Sequence, residues 1–181
     1  MTAANQQESL SISESQHWFL AGFIEGEGSV CVSIKEHPTA KFGYYVDPEF
    51  FLYQHRAFPQ VLQLAQRVFG TGRIFPKQGN ENVLVYAIAS RRSIAEKVVP
   101  FLQRYMVFSP RKEIYNRFCA IVEAMERKEH HTPHGMVRIV REAYALNPAA
   151  KGKGRKRSLS TVIDRILRDY TPDSGPPPEK I

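Results

Sequence analysis

Two cysteines are all that the 181 residues contain. Cys31 and Cys119 stand far apart and neither belongs to a C-x-x-C pair. They offer no disulfide framework and no cysteine zinc spacing, so reduced thiols in a reducing compartment are expected. No run of 18 apolar residues occurs, which excludes a membrane-crossing helix. The first fifteen residues hold two glutamates and no lysine or arginine. They fit neither a secretory signal nor an arginine-rich transit peptide, so no targeting signal is read and residues 1–14 are expected to form a flexible tail. Gly70-Thr71-Gly72 is not followed by Lys-Ser/Thr and is not a phosphate loop. The histidines at 130, 131 and 134 have no cysteine or acidic partner at zinc spacing.

What is present is positive charge and aromatic bulk. The net charge of +7 points to a polyanionic partner. A hydrophobic content of 43% and an aromatic content of 11% suffice for one cored domain, expected over 15–170. The tail 171–181 is proline-rich and expected to be disordered.

Hydrophobic periodicity orders the elements. A first helix runs from about Ser15 to Ile24, capped by Ser13 or Ser15. Ser29 to Lys35 alternates as a strand, with Val30, Val32 and Ile34 on one face and Cys31, Ser33 and Lys35 on the other. His37-Pro38-Thr39 turns the chain into a second strand, Phe42 to Tyr53, with an irregularity expected at Pro48. Pro59 and Gly70 bracket a second helix. Gly72 to Lys77 and Asn82 to Ala89 form a second hairpin. Ser93 to Gln103 is a helix expected to kink at Pro100. Further helices follow from Ser109-Pro110 to about Lys128, from Met136 to Leu146, and from Ser158 or Ser160 to about Tyr170. Two hairpins with helices between them make an α+β unit.

One stretch organises the rest. Trp18 to Ile24 carries no polar side chain and runs into Glu25-Gly26-Glu27-Gly28. A helix apolar all round is buried on more than one side, and Ala21-Gly22 is small enough for another backbone to approach. A carboxylate at the end of such a helix suits a hard divalent cation.

Leu20-Ala21-Gly22-Phe23-Ile24-Glu25-Gly26-Glu27-Gly28 resembles the nine-residue signature of the LAGLIDADG homing endonucleases. The likeness extends over roughly Gln16 to Tyr170, through Gln54, Phe69-Gly70-Thr71-Gly72, Val99-Pro100-Phe101-Leu102 and Ala145-Leu146-Asn147. It is greatest to the single-motif, homodimeric branch. The resemblance implies an αββαββα fold whose four-stranded antiparallel sheet forms a DNA-binding saddle, followed by C-terminal helices. It implies an intron-encoded, site-specific endodeoxyribonuclease making a staggered double-strand break in a long pseudo-palindromic target, with a ribosomal RNA gene as a reasonable first trial. The cofactor implied is Mg²⁺, with Mn²⁺ or Ca²⁺ able to substitute for binding. The partners implied are double-stranded DNA and a second copy of the chain, with RNA binding less favoured. The compartment implied is a bacterial cytoplasm, or a chloroplast or mitochondrial interior for an organelle-encoded chain.

Residue by residue, the resemblance makes Glu27 and the Gly26 carbonyl the metal ligands and Gln54 the residue that orders active-site water. Both acidic positions are glutamate where the common pattern has aspartate, so the longer arm shifts the metal by about one methylene or requires backbone compensation. Lys112 matches the family's catalytic lysine, with Arg111 as the rival. Where this chain has Phe58 the resemblance has a basic residue, whose contribution is lost or taken over by Arg56. Leu20, Ala21, Gly22 and Phe23 would meet the partner helix. The strand faces offer base contacts from Cys31, Ser33, Lys35, His37, Tyr45, Asp47 and Glu49, and from Arg73, Phe75, Lys77, Asn82 and Leu84. The basic loop Lys151, Lys153, Arg155, Lys156 and Arg157 would meet phosphates. The alternatives are an RNA maturase, a non-cleaving DNA-binding regulator on the same scaffold, or a ribosome- or RNA-associated basic domain.

Overall fold

The computed structural model describes residues 12–146 and 157–168. Helix α1 spans Glu14–Glu27. Ser13 is its cap: its hydroxyl accepts from Gln16 N while the Gln16 side chain accepts from Ser13 N, a reciprocal capping box. The helix therefore starts within the stretch read as a tail and runs three residues beyond Ile24. Leu20 and Ile24, one turn apart, are fully buried against the sheet, whereas Trp18 and Phe19 are exposed.

Strands β1 (Gly28–Glu36) and β2 (Tyr44–His55) form the first hairpin. Their antiparallel register runs from Gly28↔Leu52 to Glu36↔Tyr44 without a break, passing through Val32↔Pro48. The irregularity expected at Pro48 does not occur. Proline lacks an amide donor, but β2 has lost its β4 neighbour there, since β4 pairs only with Phe50 to His55. Pro48 thus sits where β2 has become an edge.

Helix α2 (Gln60–Phe69) ends at Gly70, which takes the left-handed conformation of a helix stop. Strands β3 (Arg73–Lys77) and β4 (Asn80–Ile88) are joined by the two residues Gln78-Gly79. The sheet order is β1-β2-β4-β3. One face carries Val30, Val32, Phe50, Leu52, Tyr86 and Ile88, and all the helices pack on it. The opposite face carries Cys31, Ser33, Lys35, Tyr45, Asp47, Glu49, Phe51 and Tyr53, and no described helix lies on it.

Helix α3 (Arg91–Ser93) passes through a π turn over Ile94–Val98 into α4 (Val99–Tyr105). The irregularity expected at Pro100 lies just upstream of it. The π turn bonds Val99 N to Ile94 O, five residues back, at the point where Pro100 can supply no amide. Helix α5 (Lys112–Glu126) buries Phe118, Ile121, Val122 and Met125. Helix α6 (Pro133–Ala145) begins three residues earlier than the apolar pattern suggests, because Thr132 caps it and Pro133 fills its first position. Helix α7 spans Leu159–Arg168. No described helix is long and apolar enough to cross a membrane.

Candidate active site and nucleic-acid face

The joint between α1 and β1 is sterically tight. Gly28 leaves the helix directly as a strand residue, its amide still donating to Ile24 O. A Cβ built on Gly28 would lie 2.4 Å from that carbonyl oxygen, so only glycine fits. The last turn of α1 holds Glu25 and Glu27 and no basic residue. Negative charge at a helix C-terminus opposes the dipole, at a cost of roughly 0.3–1 kcal/mol per exposed group. Such an arrangement favours a cation arriving from elsewhere.

Part of that positive charge comes from the start of α5. One nitrogen of Arg111, Nη1, donates to Glu25 O at 3.1 Å and to Gly28 O at 3.0 Å. The guanidinium carbon lies 5.3 Å from the centre of the Tyr115 ring, and the Tyr115 hydroxyl donates to Ile24 O at 3.4 Å. Burial pushes the Tyr115 phenol up to about 12, with Glu25 adding to the rise and Arg111 opposing it. Ser109 Oγ donates to the Glu25 carboxylate and accepts from Arg111 N at 2.9 Å. These bonds engage residues 24, 25 and 28 and leave Gly26 and Glu27 between them. Glu27 is exposed and has no ion pair or hydrogen bond to a described residue.

Gln54 lies near the end of β2, two residues beyond Leu52, which pairs with Gly28, and is itself paired with Leu84 of β4. Its side-chain oxygen accepts from His55 N at 2.7 Å, which leaves its amide donors for other partners. Lys112 is exposed at the first position of α5 and has no ion pair among the described residues. Arg56 is exposed in the turn after β2, its amide bonded to Asn82 O at 2.8 Å, and Phe58 is exposed beside it. The donor set here is a carboxylate and backbone oxygens, which suits a hard divalent cation. Among the described residues no three of His, Cys, Asp and Glu gather into a metal cluster.

The helix-free face of the sheet is polar and internally paired. Ser33 Oγ donates to Glu49 at 3.0 Å, the Cys31 thiol meets the same oxygen at 3.6 Å, and Lys35 pairs with Asp47 at 2.9 Å. The hydrogen bond to Asp47 raises the Lys35 pKa against a smaller opposing effect of burial. Such exposed pairs contribute at most about 1 kcal/mol and exchange partners readily. His37 lies against Tyr45, and Lys77 sits 5.3 Å from the centre of the Tyr53 ring. Arg73 and Phe75 share this face through Phe51↔Ala87↔Arg73 and Tyr53↔Val85↔Phe75.

The family model for LAGLIDADG endonucleases matches residues 20–122. The chain belongs to the LAGLIDADG endonuclease family. DNA endonuclease I-CeuI of Chlamydomonas moewusii is 41% identical over 128 residues, 69% of this chain. That alignment spans 59% of the I-CeuI chain. Homing endonuclease I-ApeII of Aeropyrum pernix is 30% identical over 164 residues, covering 90% of this chain and 95% of that one. The archaeal intron-encoded homing endonuclease I-Vdi141I, solved in complex with DNA, superposes with a TM-score of 0.78 at 31% identity, over 86% of this chain and 96% of its own. The four-stranded antiparallel sheet and helices expected from the signature are those of the LAGLIDADG fold.

Several side chains lie elsewhere than the linear pattern suggests. Leu20 is fully buried within this chain; Ala21, 5% exposed, lines a groove. The exposed side of α1 is Trp18, Phe19 and Gly22, with Phe23 half-buried. Leu84 pairs with Gln54 and Pro76 and packs on the helix-covered face, so it does not belong to the helix-free face. Asn82 is exposed beside the register shift between β3 and β4. Arg157 pairs with Glu36 at the end of β1, which Arg165 also grips. Lys151, Lys153, Arg155 and Lys156 lie outside the described residues. Linear reading missed Val107 and Phe108, exposed in the loop between α4 and α5, the latter by 89%. Two apolar residues in a loop before Ser-Pro were the available signal. Phe108 lines a groove of about 260 Å³ together with Trp18, Ala21, Gly22 and Tyr105.

Proposed function

We propose that this chain is a homing endonuclease that acts as a homodimer on long, partly palindromic double-stranded DNA. Each subunit hydrolyses one strand and leaves staggered ends, and a ribosomal RNA gene is the first target to test. The observation that carries the reading is Glu27, an exposed carboxylate at the end of α1, without an ion pair to any described residue, beside a helix-free polar sheet face. Glu27 and the Gly26 carbonyl hold Mg²⁺, with Mn²⁺ or Ca²⁺ able to occupy the same oxygens. When bound, the metal lowers the cost of charge on attacking and leaving oxygens.

The chain's own groups do the rest. Gln54 donates to and orients the water next to the scissile phosphate. Lys112 brings fixed positive charge to that phosphate, where charge grows in the transition state, and Arg56 approaches the neighbouring backbone. The sheet face enters the major groove with Cys31, Ser33, Lys35, His37, Tyr45, Asp47, Glu49, Arg73, Phe75 and Lys77. The exposed stripe of α1 receives the same stripe of a second copy. Gly22 and Gly26 support this: each costs the helix about 1 kcal/mol relative to alanine, and a Cβ on either meets nothing within 4 Å. No packing inside the chain calls for glycine at these positions, whereas a close-approaching partner helix does.

The test is Mg²⁺-dependent cleavage of a randomised duplex library by wild type and Glu27→Gln. Wild type selects and cuts a site, and Glu27→Gln binds that site without cutting it. Wild type that binds duplex DNA and never nicks it refutes the nuclease and leaves the non-cleaving regulator. Selective binding of intron RNA without duplex binding points to the maturase.

A further inference from the structure

We propose that Arg111 is a positioning residue for the site at the end of α1, holding Gly26 and Glu27 in register while touching neither metal nor DNA. The inference rests on the reading of Glu27 as a metal ligand. A cation at the start of a helix in a nuclease would ordinarily be assigned to phosphate. The contacts of Arg111 point elsewhere. Its Nη1 is committed to the carbonyls of Glu25 and Gly28, at 3.1 and 3.0 Å, and its guanidinium packs over Tyr115. The side chain is half-buried, while its neighbour Lys112 is exposed and without an ion pair among the described residues.

The two carbonyls that Arg111 bridges flank the two residues expected to hold the metal. Ser109 adds a second grip, donating to the Glu25 carboxylate and accepting the Arg111 amide at 2.9 Å. Tyr115 adds a third, donating to Ile24 O. Together the first turn of α5 holds the last turn of α1 at positions 24, 25 and 28, and positions 26 and 27 remain available. Glu25 is thereby a strut rather than a ligand, which separates the roles of two glutamates only two residues apart. The bridging nitrogen also supplies the positive charge that the end of α1 lacks. Groups that orient a metal's ligands characteristically change metal affinity or activity by about 10–100-fold when removed.

Three measurements on the full-length dimer test this. The first is hydrogen exchange of the free protein with Arg111→Gln, Arg111→Lys and Ser109→Ala. Arg111→Gln and Ser109→Ala expose the amides between Glu25 and Ser29 to faster exchange while the rest of the sheet keeps its protection; Arg111→Lys, still able to donate, falls between them and wild type. The second is Mn²⁺ binding to the protein on the selected duplex, followed by loss of the free-ion paramagnetic resonance signal. Arg111→Gln weakens it by about 10–100-fold. The third is the salt dependence of duplex affinity in Ca²⁺. Losing a phosphate contact reduces the slope by about one; Arg111→Gln leaves it unchanged and Lys112→Gln lowers it. A lowered slope with unchanged Mn²⁺ affinity for Arg111→Gln would overturn the proposal. So would unchanged exchange at the joint. If Arg111→Gln does not fold, Ser109→Ala decides by the same exchange and Mn²⁺ readouts. If wild type never cleaves DNA, the reading of Glu27 fails, and the exchange data still judge the clamp by itself.

Discussion

Gly22 and Gly26 stand one helical turn apart on the exposed side of α1, and a methyl group on either would meet no atom of the described residues beyond its own turn of helix within 4 Å. Gly28, two residues later, has no such room, with the Ile24 carbonyl oxygen 2.4 Å from its would-be Cβ. Three glycines of one motif thus answer to different neighbours.

The first pair makes a prediction of mixed sign. Gly22→Ala raises the stability of the isolated chain by about 1 kcal/mol through helix propensity, and at the same time weakens self-association. Thermal melts at low concentration read the gain, and sedimentation equilibrium reads the loss. A dimer as tight as wild type would remove the partner helix from the explanation.

Gly28→Ala goes one way only. The obstructing atom is backbone, so the joint must shift, and overpacking of this kind costs about 1–3 kcal/mol. The midpoint of thermal unfolding falls by roughly 2–12 °C for a chain of this size. Gly26→Ala in the same background shows no such loss in the monomer, which makes it the control.

The two thiols differ in reactivity. Cys119 is buried and its pKa is pushed up to about 12 by that burial, so thiolate is scarce. Cys31 is half-exposed on the helix-free sheet face. A thiol reagent titrates one cysteine per native chain and two in denaturant, and cognate duplex protects the first. Unchanged labelling of Cys31 in the DNA complex would contradict the assigned DNA face.

His130 sets an acid limit on stability. Burial lowers its pKa, helped by His131 and Arg91 and opposed by Glu126. A depressed folded-state pKa means that the unfolded chain takes up the proton first as pH falls. The stability contribution is therefore complete above the unfolded value of about 6.5 and is lost as pH drops through the folded value. Melting temperatures between pH 8 and 5 fall less steeply for His130→Asn than for wild type. Parallel curves would show that the histidine is not the titrating group.

Much of the architecture is written locally. Alternation in Val30-Cys31-Val32-Ser33 separates a core row from a polar row without knowledge of any partner strand, because side-chain period in a strand is fixed by the backbone. Pro59 and Gly70 punctuate α2 for equally local reasons. The faces failed only in β4. Leu84 stands in a run with no strong alternation, and its face is set by register with Gln54 and Pro76.

The sequence by itself determined that Glu27 ends an apolar helix between glycines, that four strands follow in two hairpins, and that the chain carries the LAGLIDADG signature. Each of these depends on neighbours within a few residues. It could not show which way Arg111 and Lys112 turn, because adjacent residues of like charge look alike in one dimension. The tertiary structure decided the direction of these side chains. Packing the start of α5 against the end of α1 turns Arg111 inward onto two carbonyls and lets Ser109 reach Glu25. Lys112 stays outward because one residue of helix rotates a side chain by about 100°, and Glu27, two residues beyond Glu25, stands exposed.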